Sequence, residues 1–383
     1  MTAQKKPLFR RSIISNIFYP KRAVKSVSFL QPVFKKRRDC GNRYTITDLE
    51  VHTLIKTRKK VLSFAVTAAG LLVLFLFAVN TGSLKVSPAE LFRGLFIEYN
   101  SDVATIYDLR FPRIFIAMLG GAATAVSGVL LQAVMKNPLA DPGIIGVSSG
   151  ASLAAVLITA FVPSLYFFTP LCAFLGGMLA FVLVYTLSYK NGLSPLRIIL
   201  VGVAVNAMFT GLMSAFNSGT GSNYSGVASI VNANITMKTW DDFRTLAPYV
   251  AVGLVLSVLA AGKCNLLALE DKTARSLGVN VNRSRVAVSV IAVLLAGIST
   301  AIIGPISFLG LIVPHIARLS VGSDHKVLIP YSVILGAFTL LLADTVGRTV
   351  ASPYEISASV IMSVVGGPFF IILLRRSKHA YGQ

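Results

Sequence analysis

"DLRFPRIFIAMLGGAATAVSGVLLQ", residues 108–132, places Arg110 and Arg113 around Phe111 and Pro112, at the mouth of a long apolar run. A helix of about 20 consecutive apolar residues matches the hydrocarbon thickness of a bilayer. Within the run Gly120, Thr124 and Gly128 recur at four-residue spacing, with Gly121 and Ala125 beside them. In lipid no hydrophobic effect drives helices together, so small residues on one face serve close backbone packing. The stretch therefore reads as a tightly packed membrane helix with two cations where it begins.

The rest of the chain agrees. Of its 383 residues 54% are hydrophobic and 13% charged, and the mean hydropathy is +0.72. That is too apolar for a soluble globular chain. Apolar runs lie near 61–79, 114–134, 144–162, 169–189, 196–216, 246–262, 286–304, 327–346 and 356–374. A shorter, proline-broken piece at 306–319 brings the expected number of spans to ten, all helical, with both termini on one side. The positive-inside rule supports that arrangement. With residues 1–60 cytoplasmic, 29 Lys and Arg fall inside and 7 outside, and Arg110, Arg113 and Arg348 face outward.

The net charge of +21 has a local source: 16 of the 36 Lys and Arg precede the first run. Residues 1–60 lack the apolar stretch and small-residue cleavage site of a secretory signal. They read as a disordered cytoplasmic arm held near anionic lipid head groups rather than a nucleic-acid binder. The expected domains are this arm, a ten-helix membrane domain over 61–376, and a short cytoplasmic tail at 377–383. Cys40, Cys172 and Cys264 are scattered, with no metal-ligand pairing and no expected disulfide.

Three connections carry more information than their length requires. "MKNPLADPGIIGVSSGAS" (135–152) combines Pro138 and Pro142 with Gly143 and Gly146, and its Asn137 and Asp141 can accept backbone hydrogen bonds in a turn. It reads as a shaped inner loop. "CNLLALEDKTARSLGVNVNRSRV" (264–286) suggests a short amphipathic helix with Leu266, Leu267, Leu269, Ala274 and Leu277 on one face and Gly278 as its stop. Its mixed charge suits a groove on a soluble partner better than lipid. Outside, 217–243 is long and polar and holds the single tryptophan, Trp240, an expected interface anchor, while 87–99 reads as a short surface helix begun by Ser87 and Pro88. Asp344 and Arg348 stand four apart on one helical face.

Several chemistries are missing. The chain has no G-x-x-x-x-G-K-[ST] phosphate loop and no H-E-x-x-H or paired Cys/His metal motif. His315 alone suggests packing. No series of intramembrane acids offers a proton relay, which disfavours an ion-coupled secondary transporter. No cofactor and no resident metal are expected, and any ATP hydrolysis belongs to another polypeptide.

Seven stretches together resemble the permeases of iron-siderophore and cobalamin ABC importers, the FecCD family. They are "RFPR" (110–113), "SGVLLQAVMKNPLADPGIIGVSSGAS" (127–152), "ILVGVAVNAM" (199–208), "TARSLGVNV" (273–281), "FLGLIVPHIAR" (308–318), "ADTVGR" (343–348) and "GGPFFIILLRR" (366–376). The resemblance implies a ten-helix permease subunit in a bacterial cytoplasmic membrane. It implies a second permease subunit, identical or paralogous, two ATP-binding-cassette ATPase subunits and an extracytoplasmic substrate-binding protein. It assigns Arg110, Arg113 and Arg348 to docking carboxylates of that binding protein. It assigns Glu270, Asp271, Thr273, Ala274, Arg275, Leu277 and Gly278 to coupling with the ATPase. Gly202 and Asn206 on the fifth span are candidates for the path wall. The cargo expected first is a ferric siderophore, with haem or cobalamin as alternatives. Departures from the family pattern fall at Glu270–Lys272, at Ala233 and Asn234, and at Ser357–Ser359.

Overall fold

The computed structural model describes residues 46–81, 86–189, 195–219, 227, 230–351 and 354–377. The chain parts into two units, residues 1–54 and 55–383, and nearly all the described residues belong to the second. Most of the basic arm and the end of the tail lie outside the described residues, as do 220–226 of the long polar connection.

The described residues are mostly helical. Their helices are α1 (Ile46–Asn80), α2 (Pro88–Phe96), α3 (Ser101–Leu109), α4 (Phe111–Met135), α5 (Val147–Phe161), α6 (Thr169–Ser188) and α7 (Pro195–Gly219), followed by α8 (Trp240–Leu267), α9 (Asp271–Ser276), α10 (Val281–Ile303), α11 (Leu309–Val321), α12 (His325–Val350) and α13 (Ala358–Ser377). Eight of the helical stretches are long and apolar enough to cross a membrane; α5 and α11 are apolar but shorter. The short apolar piece at 306–319 is thus a helix, although ten full-length spans are not what length and composition give.

Burial ranks the helices. The stretch containing α4 is the most enclosed, α10 and α12 follow, and α1 and α13 are mostly exposed to whatever surrounds the protein. Helix α4 packs against α8, α10, α11 and α12, so it is the axis of the fold. Its small residues explain how. A Cβ on Gly128 would stand 2.0 Å from the Gly310 carbonyl oxygen, and one on Gly121 would stand 2.3 Å from that of Gly336. Backbone therefore meets backbone where α4 crosses α11 and α12, as the four-residue spacing led us to expect.

Helix boundaries differ from the apolar runs wherever a polar residue caps a helix. Helix α8 begins at Trp240 rather than near 246, because Thr239 and Asp242 form a reciprocal capping box. Its indole Nε1 donates to the Tyr107 carbonyl at 3.2 Å, and the ring packs among Tyr107, Phe115 and Phe243. Trp240, expected as an interface anchor, thus anchors within the protein. The expected amphipathic helix over 264–278 is instead two pieces. Leu266 and Leu267 close α8, the chain turns through Ala268 and Leu269, and α9 starts after Glu270. Gly278, at φ +79°, then ends α9 with its N–H bonded to the Arg275 carbonyl.

Candidate functional site: two ion clusters at opposite ends of one helix

Helix α4 has 25 residues, about 37 Å at 1.5 Å per residue. Polar clusters occupy both of its ends.

At the N-terminal end, the Arg110 backbone closes α3 and opens α4, and Pro112 fills the first turn, where an absent N–H is no loss. This fixes the direction of the Arg113 side chain, which is buried. Its Nε lies 3.2 and 3.1 Å from the two Asp344 oxygens and its Nη2 2.8 Å from Oδ1. Its Nη1 donates to Glu355 at 2.9 Å. Arg348, one turn beyond Asp344 on α12, approaches the same carboxylate at 3.4 Å. The Thr236 hydroxyl donates to Glu355 Oε2 at 2.7 Å.

Two of these arginines also meet the end of α1, whose last carbonyls have no intrahelical donor. Arg110 Nη1 donates to the Val79 oxygen at 2.5 Å, and Arg348 Nη2 reaches the Ala78 oxygen at 3.5 Å. Cations suit a helix C-terminus for the same reason that anions suit the N-terminus. Arg110, Arg113 and Arg348 therefore do converge, around two acids and one helix end. The acids differ. The Asp344 side chain is 1% exposed and that of Glu355 38%. Burial alone would raise the Glu355 carboxyl, but the Thr236 hydroxyl and the Arg113 guanidinium outweigh it and hold the group below its ordinary range.

At the C-terminal end, Lys136 adopts a left-handed conformation at φ 50° and turns its amine toward α9. Its Nζ donates to the Leu269 carbonyl at 2.5 Å and to Asp271 Oδ1 at 2.7 Å. Arg285 on α10 donates to both Asp271 oxygens at 2.9 and 3.0 Å. The hydrogen bond from Lys136, with the two cations behind it, pulls the Asp271 carboxyl below its ordinary range. Asp271 thus moors α9 to α4 and α10. Ala274 is buried beneath α9, whereas Leu277 is 61% exposed; Glu270, Thr273, Arg275 and Gly278 are also exposed or partly so.

The connection from Asn137 to Gly146 is folded on itself and largely buried. Asn137 Oδ1 accepts from the Leu139 N–H at 3.0 Å, and Asp141 Oδ1 accepts from Gly143 and Ile144 at 2.8 and 3.1 Å. Gln132 ties it to α11 by donating to the Ala140 and Gly310 carbonyls while accepting from Arg318. On α7, Gly202 is buried against this connection: a Cβ there would meet the Ile144 oxygen at 2.8 Å. Asn206 is half-buried one turn further on.

Sequence reasoning missed the pairing of Arg113 with Asp344, the part played by Glu355, and the Lys136–Asp271–Arg285 mooring. A further group, the buried ends of Lys238 and Asp242 with the more exposed Tyr166, joins the start of α8 to the 3-10 turn at Pro163–Phe168. Among the described residues no group of three or more His, Cys, Asp or Glu could hold a metal ion.

The chain matches the FecCD transport family over residues 70–376. It is 41% identical over 325 residues to a heme-iron transport system permease, IsdF, of Staphylococcus aureus (strain Newman), covering 85% of this chain and 98% of that one. Its fold aligns with a solved metal-chelate type ABC transporter in an inward-facing conformation at TM-score 0.68 and 26% identity, covering 82% of this chain and 99% of that one. PsaBC from Streptococcus pneumoniae, solved with a Fab, shares the fold at TM-score 0.51 and 17% identity over 75% of this chain and 95% of that one.

Proposed function

Because this chain belongs to the FecCD transport family, whose members are transport subunits with ATP hydrolysis in a separate subunit, we propose that it forms the membrane path of an iron-chelate importer whose first cargo is haem. The observation that carries the choice of cargo is the 41% identity to a heme-iron permease along 98% of that protein. Haem thereby moves ahead of the ferric siderophore expected from sequence. The comparison with a metal-chelate type transporter supports the broader class.

In this reading a second permease subunit completes the path, and two ATPase subunits engage α9 and its exposed Leu277. A binding protein docks where Arg110, Arg113 and Arg348 gather. Helix α7 forms part of the path wall, with Gly202 setting its approach to residues 144–145. The ten-span topology with both termini cytoplasmic, the basic arm at 1–60 and the permease domain at 61–376 belong to the same proposal. An ion-coupled carrier is disfavoured further by Asp344, the best-placed buried acid, because two arginines already neutralise it.

Co-expression with the neighbouring ATPase and binding-protein genes, followed by purification in mild detergent, tests the assembly. Leu277→Asp should release the ATPase and keep the binding protein, whereas Arg110→Glu should do the reverse. A chain that purifies alone and carries haem down an ion gradient without ATP would refute the reading.

A further inference from the structure

Three arginines meet at the N-terminal end of α4, but their two acidic partners are not equivalent. Asp344 is fully enclosed, lies within α12, and takes three of the hydrogen bonds from Arg113. Glu355 lies on the connection between α12 and α13, outside any helix, with more than a third of its side chain exposed. Its hold on the cluster is one guanidinium nitrogen of Arg113 and one hydroxyl, that of Thr236. With both acids in place the five side chains carry a formal charge of +1; with Glu355 withdrawn they carry +2.

We propose that Glu355 is an exchangeable internal carboxylate, occupying at rest the position on Arg113 that an acidic side chain of the docking protein takes over. This rests on the docking role proposed for the three arginines. The physical case is the contrast in exposure. Removing Asp344 would strand buried charge, whereas Glu355, 38% exposed, borders water and on withdrawing leaves the buried Arg113 still paired with Asp344. The arginines themselves need not move: Arg113 stays fixed by Asp344, and Arg110 and Arg348 stay against the end of α1. An incoming carboxylate finds the donors pre-oriented and displaces a group of its own chemical kind. A self-occupied site lowers the apparent affinity by the fraction of time it is occupied. Glu355 therefore makes docking weaker and more readily reversed, which suits a partner that must leave after each delivery.

The test uses the transporter purified with its ATPase, and as probe the purified binding protein encoded with it. The dissociation constant is measured at low and high salt. Glu355→Gln keeps shape and removes the charge; we expect the dissociation constant to fall about five- to tenfold, with the gain shrinking in high salt. Thr236→Val, which only loosens Glu355, should shift affinity the same way by less. Unchanged or weaker docking in both variants overturns the exchange. Arg110→Glu separates the two claims. If it weakens docking while the first two variants do nothing, only the exchange falls. If docking is indifferent to all three, the docking role of the arginines falls with it.

Discussion

Arg113 and Asp344, 231 positions apart, share three hydrogen bonds of 2.8–3.2 Å in a nearly closed environment. The pair joins the first turn of α4 to the last turns of α12. Bidentate geometry of this kind suits the planar fork of arginine and not lysine. Because Arg348 leans on the same carboxylate, Asp344 is the hub on which two buried cations depend.

Asp344→Asn should therefore be among the most damaging single changes in the chain. It leaves two buried guanidinium groups without their shared counter-charge, a loss of about 3–5 kcal/mol by analogy with other broken buried pairs. Thermal unfolding in detergent measures it. Arg113→Met combined with Asp344→Asn should recover part of the loss, because the two effects are coupled.

Gly128→Ala should weaken the fold sharply, since its Cβ would fall 2.0 Å from the backbone oxygen of Gly310. Neither backbone can give way without parting α4 from α11. Gly211→Ala provides the contrast. Nothing lies within 4 Å of its Cβ position, so alanine there should be neutral or stabilising by up to about 1 kcal/mol. Melting temperatures of the two variants should move apart.

These two sites mark how far the sequence could be read. The glycine spacing on α4 exposed the close packing, because a helix face repeats at fixed intervals and small residues in lipid have few other uses. The apolar runs placed most of the helices, and the three arginines were correctly gathered at one end. The approach of Arg348 to Asp344 was legible too, as neighbours four apart on one helix, but the partners of Arg113 stayed hidden. Nothing in the periodicity near Arg113 points to a residue 231 positions away, and the exposed-looking Glu355 carries no local signature at all. The same holds for Lys136, whose partner Asp271 lies several helices further along the chain. The 264–278 region failed for a different reason: an apolar face over that stretch reads as one helix, but the turn at Ala268 and Leu269 splits it.

Asp271→Asn should loosen α9 from α4 and α10 without unfolding the protein. Its partners Lys136 and Arg285 are partly exposed, so the stability cost should stay near 1 kcal/mol, on the order of other surface pairs. The ATPase should still co-purify, while stimulation of ATP hydrolysis by the loaded binding protein should fall severalfold. Lys136→Met should give the same pattern.

Stability should depend on pH through Asp141. Burial pushes its carboxyl from an ordinary 3.8 to about 6, against the opposing pull of its backbone hydrogen bonds. The folded protein thus holds this proton more tightly than the unfolded chain does. Its contribution is fully present below about pH 4 and is lost as pH rises through about 6, a swing of about 3 kcal/mol. Asp141→Asn keeps an oxygen for the Gly143 and Ile144 N–H groups and cannot ionise. Its melting temperature should be flatter than that of the unaltered protein between about pH 4.5 and pH 7, as measured by thermal scans across that range.

The most direct test of the transport account is uptake by the complete assembly in proteoliposomes. The chain would be reconstituted with its ATPase partner, given purified binding protein outside and ATP within, and offered haem or a ferric siderophore. The account predicts accumulation of haem that requires both ATP and the binding protein and is abolished by Arg110→Glu. Accumulation that ignores ATP, or that follows an imposed ion gradient instead, would contradict it.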